Sequence, residues 1–151
     1  MKVVAYEPWH FEYCANLSPG GRLLGSETTR LFGIAYQLRG AAYSIATDQG
    51  EIVGCAGVVE LWPGVGEAWT MFTQVALDKP FFIHRQTKRI VWNIIKGSSL
   101  HRCQALVPKD DQVKEAWIKR LGFTWESNMR KAGPDKSDQG MWVWVKPDDQ
   151  I

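Results

Sequence analysis

Between residues 42 and 77 the chain abandons any helical period and reads as strand after strand. Ala42–Thr47 and Glu51–Leu61 flank the turn signal Asp48-Gln49-Gly50, which predicts a β-hairpin. After Trp62-Pro63-Gly64-Val65-Gly66 a third long strand is expected over Glu67–Leu77. Three long strands joined by tight turns form an antiparallel sheet, and its apolar faces need cover. The N-terminal flank supplies some of it. Lys2–Tyr6 reads as a short strand, and Pro8 suits the first turn of a helix running from about Trp9 to Leu17. Ser18-Pro19-Gly20-Gly21 is expected to stop that helix. Ser26 reads as the N-cap of a second helix, Glu27–Arg39, with Gly40 as a left-handed cap. Leu31, Ile34, Ala35 and Leu38 recur at helical spacing and predict its buried face.

The C-terminal flank repeats the alternation. Asp78-Lys79-Pro80 breaks the strand run ahead of a helix over Phe81–Lys96, ended by Gly97. Its apolar residues Phe82, Ile83, Ile90, Val91, Ile94 and Ile95 share one side, away from His84, Arg85, Lys88 and Arg89. Arg102–Val107 is a strand closed by Pro108, and Val113, Ala116, Trp117 and Leu121 mark one face of a helix ending at Gly122. Two strands follow, Phe123–Lys131 and Met141–Val145, and the second lacks polar alternation, which predicts burial on both faces. The order β-α-α-β-β-β-α-β-α-β-β specifies an α+β domain over 1–151, a single mixed twisted β-sheet flanked by helices.

Composition narrows the partners. Eighteen Lys and Arg against sixteen Asp and Glu leave +2, too little for the basic field that nucleic acid selects. Cys14, Cys55 and Cys103 stand far apart without a CxxC or Cys/His cluster, so no metal site is expected and a reducing, cytoplasmic setting is. No apolar run approaches the ~20 residues of a membrane span, and the N-terminus is charged too early for a signal peptide. No Gly-x-Ser-x-Gly, His-Glu-x-x-His or Walker-type string is present, so hydrolase, metalloprotease and NTPase chemistry find no support.

The hairpin Gly50-Glu51-Ile52-Val53-Gly54-Cys55-Ala56-Gly57, the strand Gly66-Glu67-Ala68-Trp69-Thr70-Met71-Phe72, the basic helix after Pro80 and the segment Ala116-Trp117-Ile118-Lys119-Arg120-Leu121-Gly122-Phe123 together resemble the GCN5-related N-acetyltransferase (GNAT) superfamily. The nearest-looking members are acyltransferase-fold proteins of tailed phages, the internal virion protein A family among them. The resemblance implies acyl transfer from acetyl-CoA, or another coenzyme A thioester, to a primary amine of a protein or small molecule. It places the pantetheine arm beside Phe72, Thr73 and Gln74, and the phosphates at the start of the next helix. Family members carry a glycine-rich loop there. This chain has Asp78-Lys79-Pro80-Phe81-Phe82-Ile83-His84, so Lys79, His84, Arg85 and Lys88 are the expected phosphate partners by charge. A tyrosine that serves the family as general acid is replaced by Ile118. Both departures favour, as the alternative, a non-catalytic virion component or host-protein-binding factor on the same fold.

Glu67, opening the central strand, is the first candidate for general base, and Glu60, on the end of the preceding strand, is the second. His84 and Arg85 sit in the first turn of a helix, where cations are unfavourable unless an anion lies there, which points to a phosphate ligand; the alternative is a solvated basic face continuing through Lys88 and Arg89. His10 and His101 have no partner constellation and read as surface residues, whereas Trp62, Trp69 and Trp117 read as core.

Overall fold

The long hairpin forms as expected, from Gly40–Ala46 (β2) to Ile52–Trp62 (β3), and β3 turns back into Val65–Phe72 (β4). The computed structural model describes residues 1–148, so the last three residues of the expected span lie outside it. Around the hairpin stand Lys2–Ala5 (β1), Arg102–Pro108 (β5), Thr124–Met129 (β6) and Gln139–Val145 (β7). They make one seven-stranded sheet in the order β1-β2-β3-β4-β5-β7-β6. Every neighbouring pair is antiparallel except β4 and β5, which run parallel.

Helices cover both faces. Pro8–Asn16 (α1), the short Pro19–Arg22 (α2) and Ser26–Leu38 (α3) precede β2. Their side of the sheet buries Tyr6, Phe11, Cys14, Cys55, Val59 and Trp69, with Tyr36 packed against them. Gln74–Leu77 (α4) and Pro80–Lys96 (α5) follow β4, and Gln112–Leu121 (α6) follows β5. On their side Val58, Val91, Ile95, Cys103, Ala105, Val107, Ile118, Leu121, Phe123 and Trp142 form a second core. Asp111 caps α6 by accepting from the Lys114 N–H at 3.1 Å, and Gly122 ends it in the left-handed region at φ 103°. In β7, Met141, Trp142 and Val143 are buried as the absence of alternation predicts, while Val145 emerges.

Several expectations fail for definable reasons. The strand predicted to reach Leu77 stops at Phe72, because Thr73 folds back on β3: its N–H and its hydroxyl both donate to the Val53 carbonyl, at 2.9 and 3.1 Å. Its own carbonyl then accepts from Leu77 N–H and starts α4. The Pro-Gly-Gly stretch is itself a helical turn, α2, closely applied to the end of α1: a Cβ on Gly21 would stand 2.5 Å from the Ala15 backbone. Gly25, at φ 84°, caps α3 in place of Ser26. Gly40 opens β2 and is no helix cap; its missing Cβ is what lets β2 lie against the Val58 carbonyl of β3.

The predicted apolar face of α3 points outward. Leu31, Phe32, Ile34 and Leu38 are exposed, and the helix buries Thr29 and Gly33. Gly33 admits the Pro8 carbonyl to 2.6 Å of where a Cβ would stand, so α1 and α3 touch through small residues. His10 is likewise not at the surface. It is 3 % exposed, its Nδ1 accepting from the Glu7 N–H at 3.1 Å and lying 2.7 Å from the hydroxyl of fully buried Ser44. Trp62, read as core, is exposed at the hairpin end.

Candidate active site

The parallel pair β4 and β5 is the weak seam of the sheet. Only three positions are in register, Val65 with Arg102, Gly66 with Cys103 and Glu67 with Gln104. Beyond Glu67, β4 runs on to Phe72 and β5 to Pro108 without pairing, so the strands part and a slot opens between them. Ala68 is the first residue past the join, and its N–H lies against the Cys103 thiol, which burial pushes up to about 12. Each strand remains paired on its far side, β4 with β3 and β5 with β7, so the parting costs no structure elsewhere. Phe81 is 85 % exposed, and Phe82 packs with Ile45, Val53, Ala76 and Ile83, a cluster that Phe72 also joins.

On the α1–α3 side, the join carries Glu67. Its Oε1 accepts from Gln104 Nε2 at 3.3 Å. The next inward residue of β4, Trp69, stacks on Tyr36 of α3 with ring centroids 4.0 Å apart and planes 10° from parallel. Tyr6 and Phe11 meet the same indole edge-on, at 5.7 and 5.6 Å. Burial first, and the Glu67 charge second, hold the Tyr36 hydroxyl well above the ordinary tyrosine range, so it stays a neutral hydrogen-bonding group.

On the α5–α6 side, Trp117 of α6 packs against the second core and reaches Phe72 of β4, 6.0 Å between centroids, and His84 of α5, at 6.5 Å. Burial, then Lys88 and Arg120, hold His84 below the ordinary histidine range. Its Nδ1 is buried without a partner among the described residues, and so is Trp69 Nε1. Thr87 Oγ1 and Trp142 Nε1 are buried without a partner as well. Arg120 is the residue that sequence reasoning missed; its place on the outer side of an amphipathic helix gave no signal, and only the packing of α6 on α5 brings it to His84.

The candidates named from the sequence thus separate into groups. Glu67 stands at the join. Phe72 lines the slot against Trp117, Thr73 is buried with its hydroxyl spent on Val53, and Gln74 is exposed and donates to Asp78 at 3.1 Å. Lys79 caps α5, and His84, Arg85 and Lys88 lie along its first turns, where with Phe81 and Arg89 they line a shallow basic hollow. Glu60 is not with Glu67. It pairs with Gly66, projects from the opposite face and lines a groove of about 690 Å³ between α5 and the β1–β2 edge. Among the described residues no His/Cys/Asp/Glu cluster suited to a metal occurs, and no helix is long and apolar enough to cross a membrane.

A seven-stranded mixed sheet parted between the two strands that run parallel among the described residues, with a helix following β4 past the gap, defines the architecture. It is the GNAT acyl-CoA N-acyltransferase fold. A mutant spermidine N-acetyltransferase from Vibrio cholerae superposes with a TM-score of 0.75 at 12% identity, over 96% of this chain and 95% of that one. A ribosomal L7/L12 α-N-protein acetyltransferase in complex with coenzyme A gives 0.72 at 15% identity, over 97% and 94%. A GNAT-family acetyltransferase from Streptococcus pneumoniae gives 0.67 at 15% identity, over 97% and 99%. No family model and no curated sequence matches the chain. The GNAT likeness is thus one of shape, carried with very few shared residues.

Proposed function

We propose that the protein is an acyl-CoA-dependent N-acyltransferase that transfers an acyl group, most simply acetyl, to a primary amine of a small molecule or protein. The observation that carries this reading is the three-pair join of β4 and β5, because it leaves strand backbone beyond Glu67 free to pair with an extended amide-bearing arm. Coenzyme A supplies such an arm and, when acylated, a thioester carbonyl open to attack by an amine.

The residues present fit that cofactor. His84 Nδ1 is an orphaned polar atom, and Lys88 and Arg120 add positive charge to it. The N–H groups of Phe81 and Phe82 open the 17-residue helix α5, where the helix dipole favours anions. Lys79, Arg85, Lys88 and Arg120 would therefore hold the phosphates by charge, and neutral His84 by a hydrogen bond, in place of a glycine-lined nest. Phe72 and Trp117 would flank the arm and exclude water. Glu67 would take the proton of the acceptor ammonium at its carboxylate, directly or through one water, so that the neutral amine can attack. Backbone N–H groups of β4 beyond the join would polarise the thioester carbonyl. Ile118 has no ionisable proton to give, so the departing thiolate would be protonated from solvent.

One observation favours a second reading. Trp117 laid against Phe72 and His84 narrows the mouth of the slot, as suits a non-catalytic virion or host-binding protein of a tailed phage that has lost cofactor access. Calorimetric titration with coenzyme A, followed by thiol release from acetyl-CoA with spermidine, small alkylamines and lysine-bearing peptides, separates the two. Cofactor binding with amine-dependent thiol release is expected. No binding at millimolar coenzyme A and no thiol release would overturn the transferase reading and leave the second.

A further inference from the structure

Glu67 is one end of a hydrogen-bonded line that crosses the seam of the sheet. At the other end is Glu126. The β6–β7 ladder pairs Trp125 with Trp142 and Ser127 with Met141, which leaves Glu126 as the extra residue of a β-bulge. Bulges re-aim side chains, and this one turns a carboxylate toward Arg102 of β5, over the intervening β7. Two strand spacings, about 10 Å, separate β6 from β5, a span an extended arginine can bridge. The guanidinium donates through Nη1 and Nη2 to the two Glu126 oxygens, at 2.8 and 2.7 Å. The third donor of the fork, Nε, meets Gln104 Oε1 at 3.2 Å.

That last contact decides the orientation of an amide. Arginine has donors only, so the oxygen of Gln104 must face it, and Nε2 is left pointing at β4. There it donates to Glu67 Oε1 at 3.3 Å. Glu67 Oε2 has no side-chain partner among the described residues. The Arg102 hydrogen bond holds Glu126 below the usual carboxylate range, so the far end of the line stays charged.

We propose that Arg102 and Gln104 are positioning residues for acyl transfer. They pin one Glu67 oxygen through a donated hydrogen bond and leave the other to take the proton of the amine. The proposal rests on Glu67 as proton acceptor, and it adds why that carboxylate sits still at an otherwise loosely joined seam. A purely structural line would tie the two halves of the sheet together and alter stability alone.

A double-mutant cycle on acetyl transfer to the fastest amine of the panel above separates the cases. Glu67→Gln is expected to lower kcat about a hundredfold. Gln104→Leu lowers kcat about tenfold at unchanged KM for acetyl-CoA, and the double variant is no slower than Glu67→Gln, because Gln104 acts through Glu67. Gln104→Leu at full kcat, or its tenfold effect persisting in the Glu67→Gln background, overturns the positioning role and leaves Glu67 as base. Full activity in Glu67→Gln, or no transfer by the wild type, overturns both together. Should Gln104→Leu fail to fold, Arg102→Lys serves, since an ammonium cannot reproduce the two-pronged pair with Glu126 while also holding Gln104; it is expected to lower kcat several-fold. Independently of activity, the side-chain amide NMR pair of Gln104 should move in Glu67→Gln and in Arg102→Lys, and a pair indifferent to both refutes the line itself.

Discussion

Acidification should weaken the fold through His10, by an amount its surroundings set. The imidazole is 3 % exposed, and its Nδ1 accepts from the Glu7 N–H while facing the Ser44 hydroxyl. Protonation would place a hydrogen on Nδ1, where it faces the Glu7 N–H donor inside a desolvated site. Burial accordingly lowers the His10 pKa from its ordinary 6.5, only partly opposed by Glu7. In the unfolded chain the same ring takes up a proton freely as pH falls through about 6.5. The unfolded state therefore binds more protons in this window, and stability drops with decreasing pH. At pH 5.5 the unfolded ring is protonated about ten to one, so a native ring that stays neutral costs at most about 1.4 kcal/mol relative to neutral pH. His84 titrates in the same direction and must be separated from it. The variant His10→Gln does so, because a glutamine oxygen can accept from the same donors without charging. Urea unfolding at pH 7.5 and 5.5 should show the wild type losing more in midpoint than the variant, by up to about 0.7 M for an m-value of about 2 kcal/mol/M. Equal losses in the two proteins would refute the account of His10 as a buried neutral acceptor.

Other perturbations test the frame and the cofactor side. Gly122→Ala forces a side chain into φ 103° with its Cβ 3.1 Å from Trp92, and should cost roughly 1–2 kcal/mol in urea unfolding. Phe123→Ala empties a position 1 % exposed in the second core and should cost about 3–5 kcal/mol by the same measurement. Arg120→Ala should weaken coenzyme A binding about three- to tenfold in calorimetry at low salt, with a smaller difference at high salt, and His84→Ala should weaken it by a similar factor at either salt. Unchanged affinity in both would remove the phosphates from that end of α5.

The sequence alone determines the succession of elements apart from the four-residue helices α2 and α4. Helical spacing around Ile83–Ile95, the hairpin turn at Asp48–Gly50, the Leu-Gly-Phe helix ending and the unbroken apolar run of β7 are local signals, and each is realised where it was read. It also raises Glu67 and the basic start of α5 as candidates for the proposed chemistry. What it leaves open is everything settled between segments far apart in the chain. Whether β4 zips onto β5 or parts from it depends on which neighbours each already holds, and residues 65–67 meet 102–104 only once the sheet is assembled. The outward apolar stripe of α3 and the inward His10 are decided the same way, by small residues that let α1 and α3 approach and by Ser44, 34 residues from His10, waiting on β2. Arg120 beside His84, and the line from Glu126 to Glu67, belong to no motif, because the groups that meet there share no period. Periodicity reports which side of an element is apolar; only packing reports which side is covered.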